Sequence, residues 1–316
     1  MENSKIQWTD HTFNPWEGCT KVSQGCAHCY AEAITKRFGK KLWGPGVPRQ
    51  RTSEAYWKKP LRWNAVAAAN GVRFKVFCAS EADVFDQEVP AEWRYDLFGL
   101  ALRCPHLDWL FLTKRSKDMR DFVTHRNTPG IIQAYAAVQA CPGVGVENPA
   151  IADARADWLM AHPMECWPPK NWWFGASVEN QDQAIIRIVD LLQTPAAVRF
   201  LSCEPLLGPI EFESTALHDD CDHLGADCCA SRHIQWVIVG GESGPNARPC
   251  DIEWVRSIVR QCREVGVAPF VKQLGSKPVS NICFTGEEKT ILDLKDKKGG
   301  DPAEWPPDLG VREFPR

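Results

Sequence analysis

The chain has 316 residues, of which 44% are hydrophobic and 24% are charged, and its formal net charge is −3. This composition is typical of one large globular α/β domain or two smaller ones, and no apolar run approaches the roughly 18 residues of a membrane span. Membrane proteins and disordered tails are therefore excluded. The first ten residues lack the pattern of a secretory signal, so we expect a cytoplasmic protein, in which the fourteen cysteines favour metal sites or buried thiols over disulfides.

Three closely spaced cysteines lie near the start of the chain. Residues 14–30 read NPWEGCTKVSQGCAHCY, which gives Cys19, Cys26 and Cys29 the spacing Cys-x6-Cys-x2-Cys. Glycines directly before the first two cysteines let the backbone turn tightly around a bulky inorganic group. Three thiolates are one short of the four that close a structural zinc site or an electron-transfer cluster, so a four-iron cluster here would keep one iron open. The alternatives are a zinc site completed by His28 or another side chain, and simple core thiols.

A strongly basic segment follows the cysteines. Between Lys36 and Arg62 there are nine basic residues and one acid, interleaved with aromatic side chains. Cations neutralise phosphates and aromatic faces stack on unpaired bases, so this combination predicts a nucleic-acid groove. A solvated basic face, or a site for a small phosphorylated ligand, would give the same pattern. The predicted nucleic-acid contacts are Trp43, Arg49, Arg51, Trp57, Lys58 and Lys59.

Short apolar runs with helical patterns between them predict a parallel sheet. The predicted strands are Phe74 to Cys78, Trp109 to Leu112, Trp172 to Ala176, Val198 to Ser202, Trp236 to Val239 and Pro269 to Lys272. The predicted helices between them are Ala91 to Arg103, Gln181 to Leu192 and Ile252 to Val265. This alternation implies right-handed βαβ units. With a short first strand just before Cys19, the predicted fold class is α/β, a partial (βα) barrel of about six or seven mainly parallel strands.

Polar side chains follow each of the six predicted strands. Ligand sites in parallel α/β folds lie at the carboxyl ends of the strands, so these side chains should converge on one rim. The residues that follow the strands, two glycines among them, are Ser80, Glu81, Asp83, Thr113, Lys114, Arg115, Ser177, Glu179, Asn180, Cys203, Glu204, Gly240, Gly241, Glu242, Ser243 and Gln273.

Three glutamates and one cysteine of this rim are candidates for chemistry. Glu179, Glu204 and Glu242 are suited to hold a cofactor amine or ribose hydroxyls, or to act as acid or base if burial raises their pKa. The alternative is that they pair with the lysine and arginine side chains of the rim. The Cys203 thiol is a candidate hydrogen-atom donor, against the alternative of a buried structural thiol.

Two insertions and a tail complete the organisation. The insertions span residues 127–170 and 213–233, and the tail, residues 295–316, is predicted to lie over the surface of a barrel domain that spans residues 1–294. The second insertion is rich in cysteine and histidine, which suits a zinc ion or an auxiliary cluster, although adjacent cysteines rarely ligate one ion. A polar loop with inert thiols is the alternative. The candidate zinc ligands there are His218, Cys221, Cys228 and Cys229.

The three-cysteine loop resembles that of the radical S-adenosylmethionine (SAM) superfamily, whose members place three closely spaced cysteines after the first strand of a partial (βα) barrel. The resemblance implies a 4Fe-4S cluster on Cys19, Cys26 and Cys29, with SAM chelated to the open iron. It also implies reductive cleavage of SAM to a 5′-deoxyadenosyl radical, and hence an electron donor protein as partner. The commonest superfamily pattern has three residues, not six, between its first two cysteines.

A longer likeness covers nearly the whole chain. Its motifs, in chain order, are NPWEGCTKVSQGCAHCYAE, FLTKR, GASVENQ, LSCEPLLGPI, VIVGGESGPNARP and EWPPDLGVREFP. They are similar to those of a phage- and prophage-associated three-cysteine-motif family of unknown function. The superfamily's Gly-Gly-Glu element, which holds the SAM amino group, usually follows the second strand, whereas here it follows a late one. The candidate cofactor-binding residues are Tyr30, Ser80, Ser177, Glu179, Glu204, Gly240, Gly241 and Glu242.

Together these patterns predict a radical-SAM-like enzyme that cleaves SAM to modify or repair a nucleic acid or a nucleotide, with Glu242 and Cys203 as candidate catalytic residues. One alternative is a metal-stabilised nucleic-acid-binding protein, with zinc or an Fe–S cluster, that has no turnover. Another is a metal-free enzyme that uses the carboxylates of the rim. No membrane partner is expected, and the sequence gives no oligomeric state.

Overall fold

The computed structural model describes residues 2–141, 149–164, 166–212, 233–280 and 290–315. The strands are β1 (His11–Phe13), β2 (Trp16–Glu17), β3 (Gln50–Arg51), β4 (Phe74–Cys78), β5 (Leu107–Thr113), β6 (Trp172–Ser177), β7 (Val198–Cys203), β8 (Trp236–Gly240), β9 (Cys250–Asp251), β10 (Ala268–Gln273), β11 (Pro278–Ser280) and β12 (Thr290–Ile291). The helices are α1 (Tyr30–Arg37), α2 (Glu54–Trp57), α3 (Lys59–Asn70), α4 (Ala91–Leu102), α5 (Ser116–Thr124), α6 (Thr128–Ala140), α7 (Pro149–Ala161), α8 (Gln181–Leu192) and α9 (Ile252–Glu264).

Seven strands form one sheet in the order β1-β4-β5-β6-β7-β8-β10, and each neighbouring pair is parallel. The sheet is curled into a half-barrel with helices around it. The predicted fold class is thereby confirmed. The six predicted strands and the three predicted helices each agree with an observed element. The strands could be predicted because long apolar runs suit strands that are covered on both faces.

The first strand lies earlier than predicted. We expected it just before Cys19, but β1 ends at Phe13 and pairs with β4. The residues just before the cysteine form β2, which pairs antiparallel with β3 in a separate two-stranded sheet. Pro15 separates the two strands, and proline has no N–H to donate to a ladder, so the chain leaves the main sheet there.

The concave face of the half-barrel is filled with aromatic side chains. Trp8, from the segment before β1, lies 4.6 Å from Phe77 and 6.1 Å from Trp236, measured between ring centroids. Phe200 and Phe270 belong to the same buried cluster. A second and larger cluster lies between the sheet and the helices. The N-terminal segment therefore packs Trp8 against the concave face of the sheet.

In the described part of the first predicted insertion, residues 127–141, 149–164 and 166–170, there are two helices. Helix α6 buries Ile132 and Ala136 and packs on α4. Gly99 of α4 makes this close packing feasible, because a Cβ atom on it would lie 3.0 Å from the backbone nitrogen of Ala136. Helix α7 follows and leads back towards β6. The second predicted insertion lies, except for His233, outside the described residues.

The C-terminal segment is more than a surface covering. The Val271 N–H of β10 donates to the Val311 carbonyl at 2.8 Å, and the Glu313 N–H donates to the Pro269 carbonyl at 2.9 Å. Leu309 is fully buried in the large core cluster. The segment thus pairs with the last strand of the sheet and contributes to the core. Among the described residues, no helix is long and apolar enough to cross a membrane.

We predict that Trp305→Ala destabilises the protein by about 3–5 kcal/mol, because it removes a large side chain from a packed core. Trp305 is 5% exposed, and its Nε1 donates to the Gly299 carbonyl at 3.0 Å. The free energy of unfolding in urea measures the effect. The control is Ile185→Ala on α8, which removes a side chain that is 59% exposed and should cost at most about 0.5 kcal/mol. Equal losses in the two variants would contradict the assignment of the tail to the core.

Candidate functional site

A cavity of about 410 Å³ lies at the carboxyl ends of the strands. Its floor is apolar and includes Trp8, Phe77 and Leu112. The structure brings eight of the predicted site residues together in its wall, from the cysteine loop, the basic segment and three strand ends. These residues are Cys19, Cys26, Cys29, Tyr30, Trp43, Ser80, Ser177 and Glu204.

Several predicted residues are described by the structure but do not line this cavity. They divide into carboxylates and glycines that support the cysteine loop, a core thiol and members of the basic segment. These residues are Glu179, Gly240, Gly241, Glu242, Cys203, Arg49, Arg51, Trp57, Lys58 and Lys59.

The path of the cysteine loop is determined by Gly18 and by the start of helix α1. Gly18 has φ +102°, and a Cβ atom on it would lie 2.3 Å from the Leu42 carbonyl oxygen, so another residue does not fit there. A short 3-10 turn spans Gln24–Cys26, and Cys29 is the N-cap residue of α1. Burial raises the pKa of the Cys29 thiol and outweighs the backbone N–H groups of Glu32 and Ala31 at the start of α1, which lower it.

Glu179 holds the middle of the loop. It is fully buried at the end of β6, and its Oε1 accepts a hydrogen bond from the Gly25 N–H at 3.2 Å. Its Oε2 accepts from the Arg187 guanidinium at 2.8 Å. Burial by itself raises the pKa of Glu179, but Arg187 and the hydrogen bonds outweigh it and hold the pKa below the usual range. Glu179 is therefore an ionised anchor of the loop.

Glu242 holds the end of the loop in the same way. Its carboxylate accepts two side-chain hydrogen bonds from Arg248, at 2.6 and 2.9 Å, and lies 3.0 Å from His28 Nδ1. Arg248 also donates to the Gln24 carbonyl at 3.0 Å. Burial opposes ionisation, but the hydrogen bonds of Arg248 and His28 lower the pKa of Glu242 to about 2. Both oxygens are engaged, so Glu242, like Glu179, lacks the raised pKa that an acid–base role at neutral pH needs.

Gly240 and Gly241 are explained by the close packing of neighbouring strand ends. A Cβ atom on Gly240 would lie 2.9 Å from Glu204 Oε1, and one on Gly241 would lie 2.3 Å from the Leu274 carbonyl oxygen. Both glycines therefore let neighbouring strand ends approach each other.

Arg115 holds the start of the loop. Its guanidinium lies 3.4 Å from Cys19 Sγ, donates to the Thr20 carbonyl at 2.8 Å, and pairs with Asp83 at 3.1 Å and Asp86 at 3.3 Å. Burial, reinforced by Asp83 and outweighing the opposing effect of Arg115, raises the pKa of the Cys19 thiol to about 12. Three strand ends thus position the loop at its start, middle and end.

Tyr30 and Ser80 connect α1 with the strand ends. The Tyr30 hydroxyl donates to the Ser80 carbonyl at 2.6 Å, and burial raises the pKa of this hydroxyl. The Ser80 hydroxyl lies 3.2 Å from both Nδ2 and Oδ1 of the Asn14 side chain, and the Glu81 N–H donates to Asn14 Oδ1 at 3.1 Å. Ser80 is therefore fixed on the wall of the cavity.

Glu204 is the predicted glutamate that does line the cavity. Its Oε1 lies 2.8 Å from Lys272 Nζ, and the Ser202 hydroxyl donates to its Oε2 at 3.3 Å. The pairing with a lysine of the rim is the alternative that the sequence left open. Cys203, the neighbouring residue, is fully buried in the large core cluster, and burial raises its pKa well above the usual value. This location is that of a structural thiol.

The basic segment is largely occupied by interactions within the protein. The Arg49 side chain is completely buried and pairs with Asp86 at 2.8 Å. Arg51 pairs with Asp96 at 2.9 Å, and its guanidinium lies 3.9 Å from the centre of the Trp57 ring, which is itself buried. These side chains have partners inside the protein, whereas Lys58 is exposed and Lys59 lies 4.8 Å from the Tyr56 ring.

Two arginines that neutralise the anchoring glutamates were not predicted from the sequence. Arg187 lies eight residues after Glu179, about two turns into α8, and Arg248 lies six residues after Glu242. A search for arginine six to eight residues after each strand-end glutamate would have found both. Trp8 was missed because the segment before β1 has no periodic pattern.

The donor set of the cavity suits an Fe–S cluster in its chemistry. Three thiols face one cavity, and Lys114 and Arg115 in the same wall supply positive charge that stabilises thiolates. Within the part of the chain that the structure describes, no group of three or more His, Cys, Asp or Glu side chains is gathered closely enough to hold a metal ion. The three thiols thus share a cavity without standing at ligand spacing. The candidate zinc ligands His218, Cys221, Cys228 and Cys229 lie outside the described residues.

Residues 3–299 match the family described as protein of unknown function (DUF5131), and the chain belongs to this family. The prediction of a family of unknown function that covers nearly the whole chain is confirmed. No curated protein and no solved structure matches the chain. Membership of this family therefore does not identify a reaction.

We predict that Arg187→Leu destabilises the protein by about 3–5 kcal/mol, because it leaves the fully buried Glu179 carboxylate without its cation. Urea unfolding measures the loss. The control is Arg260→Leu, which removes an arginine that is 66% exposed and whose distance to its partner Glu264 is 3.9 Å. This control should cost at most about 1 kcal/mol. If both variants lost the same free energy, the Glu179–Arg187 pair would not be the anchor described above.

We predict that wild type and Glu242→Gln differ most in unfolding free energy above about pH 5, by about 1.5–3 kcal/mol. The folded-state pKa of Glu242, about 2, lies below the unfolded value, so its contribution is complete above the unfolded pKa of about 4.3. The contribution is lost as the pH falls towards 2, and the difference between the two proteins should shrink. Urea unfolding at a series of pH values measures it, and a difference that stayed constant would contradict the assigned pKa.

Proposed function

We propose that this protein is an iron–sulfur enzyme of the radical SAM type that modifies or repairs a nucleic acid or a nucleotide. The observation that supports it best is that Cys19, Cys26 and Cys29 line one cavity at the carboxyl ends of a parallel half-barrel. The spacing of the cysteines and the length of the loop fit a group that is bulkier than a single ion. The proposal includes a phage or prophage association, a cytoplasmic location and an electron donor protein as partner.

Cys19, Cys26 and Cys29 would hold the cluster. A bound four-iron cluster with one open iron supplies the electron for reductive cleavage of SAM. Lys114 and Arg115, in the same cavity wall, offset the negative charge of thiolate ligands. Because Arg115 is fixed by Asp83 and Asp86, its charge stays beside the Cys19 side chain.

The polar residues of the wall would bind SAM. Glu204 lines the cavity and offers a carboxylate to the amino group, a role for which the sequence also suggested Glu242. Glu242 and Glu179 do not line the cavity and instead bind residues of the cysteine loop, so we assign both the role of positioning residues that act through this loop. Tyr30, Ser80 and Ser177 add hydroxyl groups at the same rim.

The floor of the cavity would exclude water from the reacting groups. Trp8, Phe77 and Leu112 form an apolar surface below the polar rim, and a planar base or adenine ring packs well against such a surface. The aromatic floor and the basic wall together match a substrate that carries both a base and a phosphate.

We predict that anaerobically purified protein contains about four irons and four sulfides per chain, and that Cys19→Ala, Cys26→Ala and Cys29→Ala each lower the iron content to below about one. Metal and sulfide analysis with a visible spectrum measures this. The matched control is Cys141→Ala, which changes a partly buried thiol outside the cavity and should keep the full iron content. Reduced wild-type protein should release 5′-deoxyadenosine from SAM.

One zinc per chain and no iron would contradict the cluster and favour the metal-stabilised binding protein. Full iron content without any cleavage of SAM under reducing conditions would refute the enzymatic part and keep the cluster. Activity that survives all three cysteine variants would favour a metal-free enzyme.

A further inference from the structure

A basic and apolar surface follows the cysteine loop at the end of α1. We call it the Phe38 face, formed by Lys36, Arg37, Phe38, Lys40 and Lys41. These residues lie in a stretch of six that contains four cations and no acid. The Phe38 ring is 76% exposed, although most aromatic side chains of this protein are packed in its two cores. An exposed aromatic ring with cations beside it offers both a stacking surface and positive charge to a binding partner.

The local backbone explains why Phe38 points outwards. Ile34 and Phe38 are four residues apart and lie on one face of α1, and Ile34 is also 36% exposed. The chain then turns at Gly39, which has φ +70°. The Lys40 N–H returns to the Thr35 carbonyl at 3.1 Å, so the segment after the helix folds back beside it. The ring is therefore presented by a hydrogen-bonded turn.

The charges of the Phe38 face are only partly neutralised. Lys36 pairs with Glu32 at 2.7 Å, and Lys40 pairs with Glu17. Arg37 and Lys41 are exposed and make no ion pair with any carboxylate that the structure describes. Two uncompensated cations thus flank the exposed ring, and this arrangement complements an anion with a planar apolar group.

Two of the predicted nucleic-acid contacts further along the chain, unlike Arg37 and Lys41, are already paired with carboxylates. Arg49 is buried against Asp86, and Arg51 is engaged by Asp96 and the Trp57 ring. Helix α1 also connects the Phe38 face with the wall of the cavity. Thr35 Oγ1 accepts a hydrogen bond at 2.7 Å from Nε1 of Trp43, and Trp43 lines the cavity together with Tyr30 of α1.

We infer that the Phe38 face binds single-stranded nucleic acid, with one unpaired base stacked on the Phe38 ring and with Arg37 and Lys41 on the flanking phosphates. Stacking on an aromatic ring needs a base whose face is free, so a duplex does not satisfy this surface. The inference rests on the proposed function, because it identifies the surface that presents the substrate strand to the cavity.

The test measures binding of fluorescein-labelled single-stranded DNA and RNA of about ten nucleotides, and of duplex DNA of the same length, by fluorescence anisotropy. Phe38→Ala should weaken binding of a single strand by at least about fivefold, whereas Phe38→Trp, which keeps a ring, should bind within about twofold of wild type. The control Val66→Ala removes another exposed apolar side chain, on α3, and should leave the affinity unchanged. Comparing DNA with RNA identifies which strand is preferred.

The contribution of Arg37 and Lys41 is tested by the salt dependence of the binding constant K for single-stranded nucleic acid. For Arg37→Ala/Lys41→Ala, the slope of log K against log salt concentration should fall by about 1.4, or about 0.7 for each phosphate contact that is lost. The control Lys117→Ala/Arg260→Ala removes two exposed cations on α5 and α9 and should keep the wild-type slope.

Several results would overturn the inference. The first is that wild-type protein binds neither single-stranded DNA nor single-stranded RNA. The second is that Phe38→Ala binds a single strand as tightly as wild type does. The third is that Phe38→Ala loses as much affinity for the duplex as for the single strand. Capture of an acidic protein by the Phe38 face without nucleic-acid binding would refute it too. Iron content and SAM cleavage, measured on the same variants without nucleic acid, should not change. A failure of this inference is therefore distinguishable from a failure of the proposed function.

Discussion

The neutralisation of buried carboxylates at the strand ends is the constraint on which the rest of the site depends. An ion taken out of water without a partner costs several kcal/mol, so each of these carboxylates requires a cation. Arg187 and Arg248 meet this requirement for Glu179 and Glu242, and Arg115 meets it for Asp83. The same charged groups also bind the backbone of the cysteine loop. The loop is consequently held by the pairs that make the sheet end stable.

Most of the fold could be predicted because its strands are long, apolar and bounded by polar residues. β1 could not be located, since its three residues HTF carry too little pattern. The helices α6 and α7 were interpreted as an insertion because their alanines give no clear apolar stripe. The charged residues of the site were the hardest to interpret. The sequence displays Arg49, but its partner Asp86 is 37 residues away, and only the fold brings the two together.

The location of the site could be predicted from the sequence, but the roles of its individual residues could be predicted only in part. The rule that ligands bind at the carboxyl ends of parallel strands brought the cysteines, Ser80, Ser177 and Glu204 to one wall. It could not distinguish carboxylates that face the cavity from those that face the loop. Glu204 and Glu179 follow neighbouring strands, yet one lines the cavity and the other binds Gly25. Side-chain direction at a strand end depends on the following turn, which short motifs do not reveal.

The pairing of the C-terminal segment with β10 has a consequence for biosynthesis. The ribosome releases the chain from its N-terminus, so all seven strands can associate while the outer edge of β10 still exposes its backbone donors and acceptors. That edge is protected only after residues 305–313 have left the exit tunnel. Nascent half-barrels on one messenger RNA are thus able to pair with each other until then. The edge of β10 is therefore open to coaggregation for as long as these residues remain in the exit tunnel.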